Sequence, residues 1–109
     1  MIINKTTGKI LAKETSTYRG MMLAKGLTFS RKRVAFFEFS IPQTSSIHTL
    51  FVFYPIDVLF LDAKKKVVEK YENMRPFSFY TPKHEAKYMI ELPSNLGRSV
   101  SIGNIITFK

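Results

Sequence analysis

The stretch from Ile47 to Asp62 constrains this chain more than any other, because it is the most apolar segment and carries a proline near its middle. Proline has no backbone N–H to give to a sheet ladder and fixes φ, so Tyr54 and Pro55 divide the stretch into two extended pieces. In the second piece Ile56, Val58 and Phe60 alternate with Asp57, Leu59 and Leu61, which leaves both faces apolar. A strand of that kind must be covered on both sides, and a central position in a sheet is predicted. If Tyr54 and Pro55 form a hairpin turn, His48 lies opposite Leu61 and Asp57 opposite Val52. The longest apolar run, Leu50 to Ile56, is far shorter than the ~20 residues a membrane-spanning helix needs, so no membrane insertion is expected.

Strand signals recur along the rest of the chain. Met1–Ile3 and Lys9–Lys13 flank a connection containing Asn4 and Gly8, which suits an opening hairpin. Between Thr17 and Lys25 the β-branched residues thin out, Met21 to Ala24 appear, Ser16 is placed to cap and Gly26 to stop, and a short helix is predicted there. Val34–Phe39 reads as a strand, Val67–Tyr71 and Arg75–Tyr80 as edge-like pieces, and Ala86–Leu92 as another strand. Pro93–Arg98 reads as a loop or a single helical turn, and Asn104–Phe108 as the closing strand. Many short strands and one short helix predict a mainly β, compact antiparallel β-sandwich or barrel-like domain. No linker or repeat divides the 109 residues, so a single domain over 1–109 is expected.

Charge and composition narrow the functional classes. The formal net charge is +9, and the first 35 residues hold eight basic side chains against Glu14 alone. Lys25, Arg31, Lys32 and Arg33 form the candidate basic patch, a field that would attract polyanions such as nucleic acid, although solvated lysines and arginines serving solubility are the commoner case. The absence of cysteine excludes a disulfide framework, a thiol nucleophile and thiolate metal ligands. Met1–Lys5 runs straight into Thr6, Thr7 and Gly8 without an apolar leader core, and a cytoplasmic location is expected. The many lysines and few amides also suit a heat-adapted source.

Chemistry-bearing motifs are few. The chain has two histidines, His48 and His84, on different segments and without ligand spacing, so no metal site is expected. There is no nucleophile elbow and no glycine-rich phosphate loop, so no cofactor is expected. His48 and Asp57 are the acid–base suspects, but the hairpin register separates them by roughly 13 Å at strand rise. Asp57 alone stands out, since a carboxylate in a strand apolar on both faces must find donors or shift its pKa. A structural carboxylate bound to backbone amides or to an arginine is the favoured reading. Tyr18, Phe77, Phe79 and Tyr80 near Arg19, Arg75 and Lys83 could stack bases, yet aromatics in such a chain more often build core.

Three groups of residues carry a family resemblance: Arg19-Gly20-Met21-Met22, then Pro55-Ile56-Asp57 with Phe60-Leu61-Asp62, and finally Glu91-Leu92-Pro93 with Ile102-Gly103-Asn104. In order and spacing, from about Leu11 to the end, they resemble the uncharacterised family known as domain of unknown function 192. The resemblance implies a compact β-sandwich or barrel of unassigned activity. This chain has Ile47 to Val52 where the family often carries Phe, Trp, Met, Lys, Asn and Thr, and Asn104 where it ends on Asp. The expectation is a non-catalytic domain whose pocket lies near Arg19, Met22, His48, Asp57 and Glu91 and holds a small ligand or a protein partner. A nucleic-acid binder using the basic first third, and an enzyme using Asp57 or His48, are the alternatives.

Overall fold

The computed structural model describes residues 1–13, 15–19, 34–43, 47–48, 55–75 and 79–108. Among these the protein is mainly β, with ten strands and a single 3₁₀ turn over Leu96–Ser99. No helix among the described residues is long and apolar enough to cross a membrane.

The opening hairpin forms as the Asn and Gly spacing suggests: β1 (Ile2–Asn4) runs antiparallel to β2 (Lys9–Ala12). Gly8 closes the turn at φ 80 and donates its N–H to the Asn4 carbonyl at 2.7 Å, a conformation that costs glycine little. On its other edge β1 pairs with β10 (Ile106–Phe108), which gives a three-stranded sheet in the order β10-β1-β2.

A five-stranded sheet in the order β3-β4-β9-β6-β7 forms the middle of the molecule. It contains β3 (Thr15–Arg19), β4 (Val34–Gln43), β6 (Ile56–Leu61), β7 (Val67–Met74) and β9 (Ala86–Pro93). All its pairings are antiparallel except β3 with β4, which are parallel. The helix expected over Thr17–Lys25 is not what its first residues do. Thr17, Tyr18 and Arg19 extend in β3, paired with Phe36, Phe37 and Glu38. Residues 20–25 lie outside the described residues. The ladder offered by β4 outweighs a weak local helical preference.

The central position predicted for 56–61 is borne out. β6 is buried along its whole length, with β7 on one edge and β9 on the other. Its side chains divide as the alternation requires. Leu59 and Leu61 join Ile2, Phe36, Ile90 and Ile106 in a core between the two larger sheets. Ile56, Val58 and Phe60 join Phe37, Met74 and Met89 in a second core on the opposite face, where Tyr80 packs. That face carries β5 (Ile47–His48) and β8 (Phe79–Tyr80), which form a two-stranded ribbon.

The hairpin across Pro55 does not form. Leu61 faces Val67 and Tyr88 instead of His48, and His48 pairs with Phe79. Both edges of β6 are already taken by strands from later in the chain, so no third ladder can be added. The 13 Å separation that rested on this hairpin therefore does not apply, and Val52 lies outside the described residues. β7 is the edge strand expected, and its start is stitched to the other sheet: Val67 donates its N–H to the Asn104 carbonyl at 2.9 Å, and Ile106 to the Lys65 carbonyl at 3.0 Å.

Candidate functional site

Asp57 sits on β6 facing the core between the two larger sheets, across from Leu92, and is 1% exposed. A carboxylate taken this far from water needs donors, and it has two from the backbone. Its Oδ1 accepts the Asn73 N–H at 2.7 Å, and its Oδ2 accepts the Gly97 N–H at 2.8 Å. These bonds tie the end of β7 and the 3₁₀ turn to the central strand. Gly97 packs so closely that a Cβ there would lie 2.9 Å from the Asp57 Cβ and 3.0 Å from its Oδ2. From the other side Lys70 Nζ donates to the Val100 carbonyl at 2.6 Å and the Gly97 carbonyl at 3.4 Å. The favoured reading of Asp57, a structural carboxylate held by backbone amides, matches this geometry.

Around this clamp lies a cleft of about 460 Å³, lined by Pro55, Asp57, Glu72, Asn73, Pro93, Ser94, Asn95 and Arg98. Two of its residues have left-handed backbones, Asn73 at φ 56 and Asn95 at φ 83. Asparagine tolerates that region better than most residues, and such conformations persist where surrounding contacts enforce them. Ser94 helps to enforce them: its N–H donates to the Pro55 carbonyl at 3.2 Å and its Oγ to the Asn73 Oδ1 at 3.0 Å. Glu72 pairs with Lys70 at 3.3 Å, whereas the Arg98 side chain has no ion-pair or hydrogen-bond partner among the described residues.

Glu91 occupies the opposite face. It lies on β9 between Ala35 and Val58, two residues from Met89, and is 7% exposed. It has no hydrogen-bond partner among the described residues. Burial pushes its carboxyl up to about 8, so the acid is largely protonated near neutrality.

A third buried carboxylate, Glu69 on β7, fastens the segment after β8. Its Oε1 accepts the N–H groups of Lys83 at 2.9 Å and His84 at 3.0 Å and contacts His84 Nδ1 at 2.9 Å, and its Oε2 accepts the Tyr80 hydroxyl. Burial alone would push the Glu69 carboxyl up, but the bonds from Tyr80, His84 and Lys83 outweigh it and leave it below its ordinary value. Burial, and then the Glu69 carboxylate, push the Tyr80 phenol up to about 12. With four donors from one short segment, Glu69 acts as a staple. The His84 side chain remains 60% exposed.

The two carboxylates of the expected pocket are not brought together. Asp57 and Glu91 lie on opposite faces of one sheet. Arg19 ends β3 opposite Glu38, and His48 lies on β5. Met22 and the basic patch of Lys25, Arg31, Lys32 and Arg33 lie outside the described residues. Among the described residues no group of three potential metal ligands is present. Asn73, Asn95, Arg98 and Glu69 were not singled out by sequence. The turn residues Ser94 and Asn95 after Pro93 were the available signal for the cleft, whereas Glu69 stands in a stretch of alternating charge that reads as solvent-facing.

Comparison with known proteins agrees with this architecture. A family model described as DUF192, Uncharacterized ACR, matches residues 4–107. A UPF0127 protein of Thermococcus sibiricus is 36% identical over 85% of this chain, which spans 63% of that protein's length. A UPF0127 protein of Thermococcus kodakarensis is 32% identical over 99% of this chain and 73% of its own. Two crystal structures share the fold. A Sinorhizobium meliloti protein described as a candidate transcription regulator superposes with a TM-score of 0.83 at 18% identity, covering 97% of this chain and 88% of its own. A protein of unknown function from Novosphingobium aromaticivorans gives 0.78 at 16% identity, covering 86% and 74%.

Proposed function

The chain belongs to the uncharacterised DUF192 family, a membership that carries no activity, and we propose from the cleft itself that this is a non-catalytic domain binding a small polar ligand beside Asp57. The observation that carries the reading is the construction of the cleft. A buried carboxylate clamps two separate backbone segments, and the walls so fixed present left-handed asparagines and an arginine whose side chain has no partner among the described residues. Rigid walls with a few directed polar groups are what small-ligand sites use. Both Asp57 oxygens already accept backbone N–H groups, which favours binding over acid–base catalysis at this residue. The family match over 4–107 supports reading the chain as one domain.

An amide NMR titration of the labelled chain against pooled metabolites and a short oligonucleotide tests this. Saturable shifts confined to Asn73, Ser94, Asn95, Gly97 and Arg98 with a metabolite pool are expected. Silence at those amides, with salt-sensitive shifts over Lys25 to Arg33 from the oligonucleotide, would replace the reading with nucleic-acid binding.

A further inference from the structure

We infer that the ligand of this cleft carries an oxyanion, a carboxylate or a phosphate, with Arg98 as its charged contact and the side-chain amides of Asn73 and Asn95 as further donors. The inference rests on the binding reading above and names the chemistry of its ligand. It follows from counting which polar atoms of the lining are already used. Asp57 has given both oxygens to backbone N–H groups. Asn73 has given its side-chain carbonyl to the Ser94 hydroxyl, which uses that hydroxyl's proton and leaves the Asn73 NH₂ group to donate. The Asn95 side chain makes no capping bond to the 3₁₀ turn. Arg98 brings five N–H donors and no acceptor, and has no partner among the described residues. The other carboxylate on the lining among the described residues, Glu72, already has the Lys70 ammonium at 3.3 Å.

Among the described residues Arg98 therefore leaves one unpaired positive charge on the lining, with the Asn73 and Asn95 amide groups as unused donors beside it. Its complement is a group with many acceptors and negative charge, and a planar guanidinium matches carboxylate and phosphate oxygens in paired hydrogen bonds. A volume of about 460 Å³ suits a small metabolite. The backbone of the cleft wall is held by the Asp57 clamp and by Ser94, so it is ordered before the ligand arrives and less ordering remains to oppose binding. The net charge of +9 raises the encounter rate of any anion.

The test titrates the labelled full chain, at constant ionic strength, with citrate, succinate, inorganic phosphate and adenosine monophosphate, with glycerol and methylammonium as neutral and cationic controls. Saturable shifts at Asn73, Asn95 and Arg98 from one or more of the anions, persisting at about 0.3 M salt, are expected. Response to the first two probes alone identifies a carboxylate ligand, and response to the last two alone a phosphate. Arg98→Gln should weaken that binding about tenfold with little change in melting temperature, since an exposed arginine with no partner among the described residues contributes little to stability. Anion shifts spread over the basic surface and lost with salt, or unchanged binding in Arg98→Gln, would overturn the inference. Cleft amides that respond to glycerol or methylammonium but to no anion would overturn it while leaving the binding reading intact. Silence of the cleft toward every probe and every metabolite pool would overturn both.

Discussion

Asp57 and Glu91 lie on neighbouring strands of the same sheet, both almost fully buried, yet they meet opposite fates. Asp57 faces the side where β7 and the 3₁₀ turn converge and finds two backbone N–H groups within 2.8 Å. Glu91 faces the other core, between Ala35 and Val58, and finds none among the described residues. The same functional group is a fastener on one face and a held proton on the other. Equal burial leaves the two carboxyls with different partners, because the donors within reach differ.

The largest effect expected from breaking this contrast is at the saturated site. Asp57→Asn turns one acceptor oxygen into an NH₂ group that must confront the N–H of Asn73 or of Gly97, and should cost about 4 kcal/mol in urea unfolding at neutral pH. A loss of less than about 1 kcal/mol would show that the clamp is dispensable.

Next comes Glu91. Because burial raises Glu91 to about 8 in the folded state, the folded chain holds a proton that the unfolded chain has released. The resulting stability is fully present below the unfolded carboxyl value and is lost as pH rises toward about 8. Unfolding free energy should fall by about 3 kcal/mol between about pH 5 and about pH 8 on this account, and E91Q should flatten that slope. An equal slope in the variant would mean that Glu91 does not titrate as its surroundings demand.

Gly97→Ala probes the closeness of the clamp rather than its charge. The added methyl would meet the Asp57 side chain at 2.9 Å, and a loss of about 2 kcal/mol is expected by thermal unfolding. The smallest effect belongs to the Glu69 staple, a second saturated carboxylate. Tyr80→Phe removes one of its donors and should cost about 1 kcal/mol near neutral pH. That bond's contribution in the parent should fade above about pH 10, as the unfolded phenol ionises while the folded one holds its proton to about 12. For Glu69 itself the sign is opposite. Its lowered folded value means that its contribution is present above the unfolded carboxyl value and lost as pH falls through the folded one.

Particular residues show why sequence carried the architecture further than the site. Ile56, Val58 and Phe60 against Leu59 and Leu61 announced a strand covered on both faces, because side-chain alternation is a local property of extended backbone. The partners of that strand were not local. Pro55 suggested a hairpin, but the edges of β6 went to β7 and β9, and β3 took a parallel ladder with β4 across an interval of fourteen residues. The need of Asp57 for donors was visible in its apolar surroundings, whereas the donors themselves stand 16 and 40 residues away. Glu69 gave no such signal, since its partners Tyr80, Lys83 and His84 arrive from a segment that only folding brings to it.

By itself, then, the sequence determined the mainly β class, the two-sided burial of residues 56–61 and the need of Asp57 for a partner, all of which follow from the polarity of neighbouring side chains. Only the tertiary structure decided that Asp57 would find donors while Glu91 finds none among the described residues, and that Asn73, Asn95 and Arg98 would share one cleft. The physical reason is that a hydrogen bond acts over about 3 Å, and which donor comes within that distance is settled by strand order and register.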